Sequence, residues 1–465
     1  MNVNTATAFL KLGLLLFLVN NTVFVVMSNT ANHGSYAQNS NSSASNSLRF
    51  SKPVNLTNNL RDSVYAQVAS QGDNVYMVWQ ENPPFPISEA TNLVNYDIFI
   101  KKSIDGGLTF GKEINLSNNP GFSEHPQIAA SGKNVYVVWI DNSPSIGSSG
   151  ATENKKVLFR KSIDGGNTFG ETVILSDIPN ADSFNQEMAA AGNNVYIVWQ
   201  VTPLPTADQD GVDDSNGQHI NTNNNSDKNG ISDDKLSSIS FIASVDNGET
   251  FTEVKSLSKD AFKSYPKIAA YANDIYIVWN IGIIGDTNDS NNANNNNSNN
   301  GIFFLKSFDN GNSFSNLTRL NTDWNSIGES QVAAYGNNVY VVWGGDPDHK
   351  VPGNLFYTIS SDNGTSFSLP RSLTEKNTLN VEVAADTNFV YITWQGVLPN
   401  DNEEILVKKS TDSGATFSEV NENVSKNDGI SECTSITISE DTKKVYLAWE
   451  DSPAGNHEIL FVRGL

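Results

Sequence analysis

A chain of 465 residues with 51 acidic and 29 basic side chains, a net charge of −22, repels phosphate backbones, which argues against nucleic-acid binding. Its single cysteine, Cys433, excludes an internal disulfide and a cysteine-built metal site. Charged residues make up only 17%, against about 25% in an average globular chain, so the surface must rest on Asn, Ser, Thr and Gly.

Lys11 precedes an apolar run over residues 12–19, which Asn20, Asn21 and Thr22 interrupt before apolar residues resume to Met27. The uninterrupted run is shorter than the about 20 residues a spanning helix needs. Ser35-Tyr36-Ala37 offers a small-x-small cleavage site, so residues 1–37 read as a signal peptide. An uncleaved anchor is the other reading. Residues 38–47, QNSNSSASNS, read as a flexible polar leader. Export and cleavage would leave a secreted or cell-surface protein with no membrane span.

From residue 48 onward the chain repeats itself. The segment Val-Tyr-x-Val-Trp, or a near variant, ends at Trp79, Trp139, Trp199, Trp279, Trp343, Trp394 and Trp449, with spacings of 60, 60, 80, 64, 51 and 55. After each of the first six comes Ser-x-Asp-x-Gly-x-Thr/Ser-Phe, whose acids are Asp105, Asp164, Asp246, Asp309, Asp362 and Asp412. The second unit reads HPQIAAS–GKN–VYVVW–loop–KVLFRKS–IDGGNT–FGETVILS. Its four runs rich in Val, Ile, Tyr and Phe predict four short strands, A to D, with A innermost. Gly in the C–D turn supplies a positive φ, and the Asp before it can accept turn amides. The seven Trp predict packing between units rather than a sugar platform.

Seven four-stranded units predict an all-β fold: a seven-bladed β-propeller of antiparallel blades over residues 48–465. The last unit has no strand D of its own, and residues 48–57 resemble an orphan strand D. Pairing them with residues 457–463 would close the ring and remove its open edges.

These motifs resemble the BNR/Asp-box repeat proteins of the sialidase-like β-propeller superfamily, over roughly residues 48–465. The resemblance implies the Asp-box blade. Sialidases themselves have six blades, and Asp-boxes also occur in propellers that are not sialidases. A sialidase holds its substrate carboxylate with three arginines, attacks with a Tyr activated by Glu, and uses an Asp as acid/base. This chain has six arginines and no Arg-Ile-Pro. Of the six, only Arg61 falls in a loop expected on the ligand face. The bidentate carboxylate chemistry of guanidinium is therefore short of its three copies.

If the A–B and C–D turns share one face, the long, variable B–C and D–A loops share the other, where function is normally carried. Acids collect on that rim, among them Glu81, Asp141, Glu404 and Asp451, and a solvated acidic rim is the simplest expectation. The start of strand A repeats as Gln67, Gln127, Glu187, Lys267, Gln331, Glu382 and Ser435, positions expected at the channel mouth. The ligand-face candidates are Glu124, His125, Glu187, Lys267, Trp324, Glu329, Glu382 and Glu432. Trp324 stands outside the Trp repeat and is the candidate stacking residue.

The third B–C loop carries an acidic insertion, residues 201–236. Two runs within it match the first nine positions of an EF-hand-like calcium loop, with oxygen ligands alternating before a Gly and an aliphatic residue. The candidate ligands are Asp208, Asp210 and Asp214 in one run, and Asn225, Asp227, Asn229 and Asp233 in the other. Both lack the bidentate Glu at position 12, so the calcium affinity expected is modest. Residues 286–300 are an Asn-rich low-complexity insertion with no chemistry of their own.

Together these features predict an exported, non-catalytic binding or cell-surface interaction module with calcium, its glycan or protein ligand on the B–C/D–A loop face. The rival readings are a glycoside hydrolase of the sialidase-like type and a structural envelope component.

Overall fold

A computed structural model describes residues 14–19, 22–27, 49–83, 95–143, 154–204, 237–261, 265–281, 301–321, 326–346, 353–374, 378–398, 402–427, 429–452 and 456–464. Residues Met1–Ser47 form one compact unit, in which Leu14–Val19 pairs antiparallel with Thr22–Met27. Among the described residues no helix is long and apolar enough to cross a membrane. The signal-peptide cleavage site, the leader at residues 38–47, Trp324, the calcium-loop candidates and residues 286–300 lie outside the described residues.

Residues Leu48–Leu465 form the second unit, seven four-stranded antiparallel sheets. Strand A of the successive blades is Asp62–Gln71, Ser123–Ser131, Ala181–Ala191, Lys267–Tyr271, Ser326–Tyr335, Thr378–Asp386 and Ser431–Ile438. Each A strand packs on the next, and that of the seventh blade packs on that of the first, so the sheets form a closed ring. Strand B is Asn74–Asn82, Asn134–Asp141, Asn194–Pro203, Asp274–Ile281, Asn338–Asp346, Phe389–Val397 and Val445–Asp451. It is sandwiched between neighbouring blades, which is why its sequence is a continuous apolar run rather than an alternating one. All seven repeat Trp are fully buried. Trp139 of the second blade packs with Tyr76, Val78 and Ile100 of the first, as inter-blade packing requires.

The seventh blade takes its fourth strand from the other end of the chain. Val54–Asn55 pairs with strand C of that blade, Glu458–Arg463, and Phe50 bridges Gly464. Ser51 N–H donates to the Arg463 carbonyl at 2.9 Å and Leu56 N–H to the Ile459 carbonyl at 2.8 Å.

The Ser-x-Asp-x-Gly turns explain their own sequence. In the second blade, Asp164 Oδ1 accepts the Asn167 and Thr168 amides at 3.0 and 2.9 Å, and Oδ2 accepts the Thr168 hydroxyl at 2.7 Å. Ser162 donates its hydroxyl to Asp164 Oδ1 at 2.7 Å and accepts the Gly166 amide at 2.8 Å. Gly166 sits at φ +78°, and a Cβ there would meet the Tyr76 ring at 3.0 Å. Gly165 N–H also donates to the Lys133 carbonyl in the A–B turn, so both kinds of turn share one face.

The expected solvated rim of acids needs correction at four positions. Glu81, Asp141, Glu404 and Asp451 are 2%, 1%, 3% and 1% exposed. In the first, second and seventh blades the acid two residues after Trp accepts the indole N–H, as in Trp79 to Glu81 at 2.7 Å. The same carboxylate accepts a Ser hydroxyl and an Asn amide: Ser123 and Asn119 reach Asp141 Oδ2 at 2.6 and 2.7 Å. A buried carboxylate survives only with such partners, so these acids are structural.

Candidate functional site at the channel mouth

The site begins with an irregularity in strand A. In the first, second, third, fifth, sixth and seventh blades, the A–B register shifts near the outer end of strand A, as between Val64 and Gln67. Tyr65, His125, Asn185, Asn380 and Cys433 sit there at φ +45° to +56°. One extra residue resets the phase of the period-2 alternation, and beyond it residues two apart both face the channel. The outer tier is Tyr65, His125, Asn185, Tyr265, Glu329, Asn380 and Cys433. Below it are Gln67, Gln127, Glu187, Lys267 and Glu382. Together these residues line a cavity of about 330 Å³.

The bulges are pinned by the residue that follows the repeat Trp. Gln80 accepts the His125 amide at 3.0 Å, Glu450 accepts the Tyr65 amide at 2.6 Å, and Asn280 donates to the Gly328 carbonyl. Each of these bonds runs from one blade to the next. Within blades, Asn185 donates to Gln200 at 3.2 Å and Asn380 to Gln395 at 2.5 Å.

Among the described residues lining the cavity Lys267 carries the only ammonium, and it is paired with Glu187 at 2.5 Å. Burial alone would depress the Lys267 pKa, but Glu187, Glu329 and Glu382 outweigh it and hold it above the ordinary lysine value. Gln127 donates to Glu187 at 3.3 Å, and Gln331 to Glu382 at 2.5 Å. Burial pushes the Glu382 carboxyl up to about 8; Lys267 opposes the rise, while Glu187 and Glu329 add to it. His125 is lowered by burial, so it is a neutral imidazole at pH 7, and its ring lies 4.0 Å from that of Tyr65.

The remaining candidates sit apart from this core. Glu124 pairs with Lys155 at 2.5 Å. Glu432 reaches His457 Nε2 at 3.3 Å, while His457 Nδ1 meets Asp62 at 2.8 Å, a chain that ties the seventh blade to the first. Arg61 is turned outward to Glu81 at 3.5 Å, and no arginine lines the cavity. Among the described residues no group of three His, Cys, Asp or Glu side chains is arranged to hold a metal ion.

Neither a protein-family model nor a curated protein matches the chain. Solved structures do resemble it. A Dyadobacter fermentans protein of unknown function is 13% identical, with 90% of this chain and 98% of that one covered, at a TM-score of 0.49. The Ruminococcus gnavus intramolecular trans-sialidase is 12% identical, with 74% and 94% covered, at 0.47. Trypanosoma rangeli sialidase is 13% identical at 0.44, and the chain spans 56% of its length. These likenesses concern the propeller fold.

Two sets of site residues were not singled out from the sequence. One is the outer tier at Tyr65, Asn185, Tyr265, Asn380 and Cys433. The other is the Gln, Asn or Glu after the repeat Trp. A polar residue closing an apolar strand in five of seven repeats was the available signal for the second set.

Proposed function

We propose that this chain is an exported, non-catalytic propeller of the Asp-box type that binds a small polar ligand, a glycan, in the channel mouth. The observation that carries this reading is the ring of amide, hydroxyl, imidazole and carboxylate groups that converges on one cavity of about 330 Å³ from every blade. Such a mixture of donors and acceptors suits a polyhydroxylated ligand. The cavity's cation is already spent on Glu187, and no guanidinium is at hand, so the three-arginine recognition of sialic acid has no counterpart here. Calcium in the acidic insertion remains part of the proposal, and its test is a calcium titration of the wild type against the Asp210→Ala/Asp227→Ala variant.

The test of the binding site is a glycan array probed with the wild type and with Gln127→Trp, which fills the mouth. Binding by the wild type that the variant loses supports the reading. Equal binding by both proteins moves the ligand elsewhere on the molecule.

One observation favours a second reading, a glycoside hydrolase. Glu382, pushed up to about 8, is protonated at neutral pH beside the carboxylate of Glu187, and a paired acid and base is what glycoside cleavage uses.

A further inference from the structure

Resting on the export proposed above, we infer that Asn316 carries an N-linked glycan, attached at the sequon Asn316-Leu317-Thr318 on the outer edge of the fourth blade. The Asn-x-Ser/Thr sequons that lie wholly within the described residues begin at Asn55, Asn115, Asn316, Asn363 and Asn423. In a chain so rich in Asn, Ser and Thr, a sequon is informative only where the fold does not itself require its residues. The fold accounts for all of these but one.

Asn55, Asn115 and Asn423 close the outermost strands Val54–Asn55, Ile114–Asn115 and Glu422–Asn423. The hydroxyl two residues on ties each strand to its neighbour: Thr57, Ser117 and Ser425 accept the amides of Ile459, Ile98 and Ile405 at 2.9, 3.0 and 2.9 Å. Ser176 and Thr374 accept the Val157 and Leu355 amides in the same way, although Ile174 and Ser372 stand where the Asn would be. The hydroxyl is therefore a requirement of the blade, with or without a sequon. The Asn caps the turn that follows. Asn55 Oδ1 accepts the Thr57 and Asn58 amides, Asn115 Oδ1 that of Asn118, and Asn423 Oδ1 that of Lys426. Asn363 sits at φ +56° before the Gly of its Ser-x-Asp-x-Gly turn, as Asn247 and Asn310 do in theirs. Thr365 accepts the Lys306 ammonium at 2.9 Å.

Asn316 and Thr318 have no such duty. Asn316 stands two residues after Phe314, where the other blades place Lys112, Glu171, Glu253, Leu369 and Glu419, each of them exposed. Asn316, Leu317 and Thr318 are exposed in succession, and neither the Asn316 side-chain amide nor the Thr318 hydroxyl makes a hydrogen bond with a described residue. Leu317 is 48% exposed beside the two-residue edge strand Thr318–Arg319. A bulky, hydrated group on Asn316 covers both the leucine and the open edge.

The co-reactant is an oligosaccharide carried on a lipid phosphate, delivered by a transferase of the export route. The bond from the first sugar's anomeric carbon to the phosphate oxygen breaks, and a bond from that carbon to Asn316 Nδ2 forms. The amide gives up one proton, and the lipid phosphate leaves with the electron pair. Thr318 supplies the hydroxyl by which the transferase reads the sequon.

The test is peptide mass mapping of the full chain, expressed with its own N-terminal segment in the cells that encode it. The peptide that spans Asn316 should carry added mass that fragments into sugar units. Asn316→Gln and Thr318→Ala should lose that mass completely, and Thr318→Ser should keep it. Neither side chain holds a contact in the fold, so all three variants should fold as the wild type does, which circular dichroism checks. An exported chain with Asn316 bare would overturn the inference and leave export and the channel mouth standing. Added mass that survives Thr318→Ala would mean a modification not directed by the sequon, and would overturn it too. A chain retained inside the cell, with its N-terminal segment intact and Asn316 bare, would take down export and the glycan together.

Discussion

Lys267 and Glu187, 80 residues apart in sequence, meet at 2.5 Å across the boundary between the third and fourth blades. Their side chains are 14% and 17% exposed, so neither charge is fully solvated without the other. Removing one partner strands the other. Lys267→Met should lower stability by about 3 kcal/mol, and the double variant Glu187→Leu/Lys267→Met should recover most of that loss. Urea denaturation midpoints of the three proteins check this.

His457 clamps the seventh blade to the first, and its charge is the clamp. The Glu432 hydrogen bond raises its pKa most, burial opposes, and Asp62 adds to the rise, leaving it at about 9. The folded value lies above the ordinary one of about 6.5. The stabilisation is therefore complete below about pH 6.5 and is lost as pH rises through 9. The side chain is 32% exposed, so solvent screening reduces the linkage of about 3 kcal/mol to about 1–2 kcal/mol. His457→Gln should be less stable than wild type at pH 6 and equal to it at pH 10, in thermal melts at each pH.

Ring closure depends on residues 49–57. Leu56 is buried, its amide donates to the Ile459 carbonyl, and Thr57 donates its hydroxyl to Glu458 at 2.5 Å. Deleting this strand removes several hydrogen bonds of about 0.5–1.5 kcal/mol each and about 2 kcal/mol of apolar burial. It also exposes the edge of Glu458–Arg463. Size-exclusion chromatography should show loss of the compact monomer. A deletion variant as compact and as stable as the parent would contradict the closure.

The turn acids should affect folding and not binding. Asp164 is held below the usual carboxylate range, first by the Thr168 amide and then by the Thr168 and Ser162 hydroxyls. With a depressed folded pKa, its contribution is present above the ordinary value of about 3.8 and is lost as pH falls through the folded value. Asp164→Ala should lower the melting temperature at pH 7 and leave glycan binding unchanged. Lost binding at unchanged stability would place the ligand on the turn face.

The ring was legible because each blade repeats the same apolar strand and the same turn, and the split seventh unit already implied its closure. The lower tier of the mouth was legible for the same reason, as one repeat position occupied by Gln, Glu, Lys or Ser. Of the outer tier, only His125 and Glu329 were. Tyr65, Asn185, Tyr265, Asn380 and Cys433 share no chemistry, and Tyr65, Asn185, Asn380 and Cys433 sit at bulges that reset the alternation of strand A. The buried acids were misjudged because an acid after an apolar strand reads as the start of a loop. Asp141 instead folds back to the indole of its own Trp139. Among the ligand-face candidates, Glu124 pairs with Lys155 and Glu432 with His457.

The most direct test of the account is turnover of aryl glycosides, α-sialosides included, by the wild type between pH 4 and 9, with Glu382→Gln in parallel. The account predicts no hydrolysis above the buffer rate by either protein, alongside glycan binding at the mouth. Turnover by the wild type that Glu382→Gln abolishes would contradict it and make the channel mouth an active site.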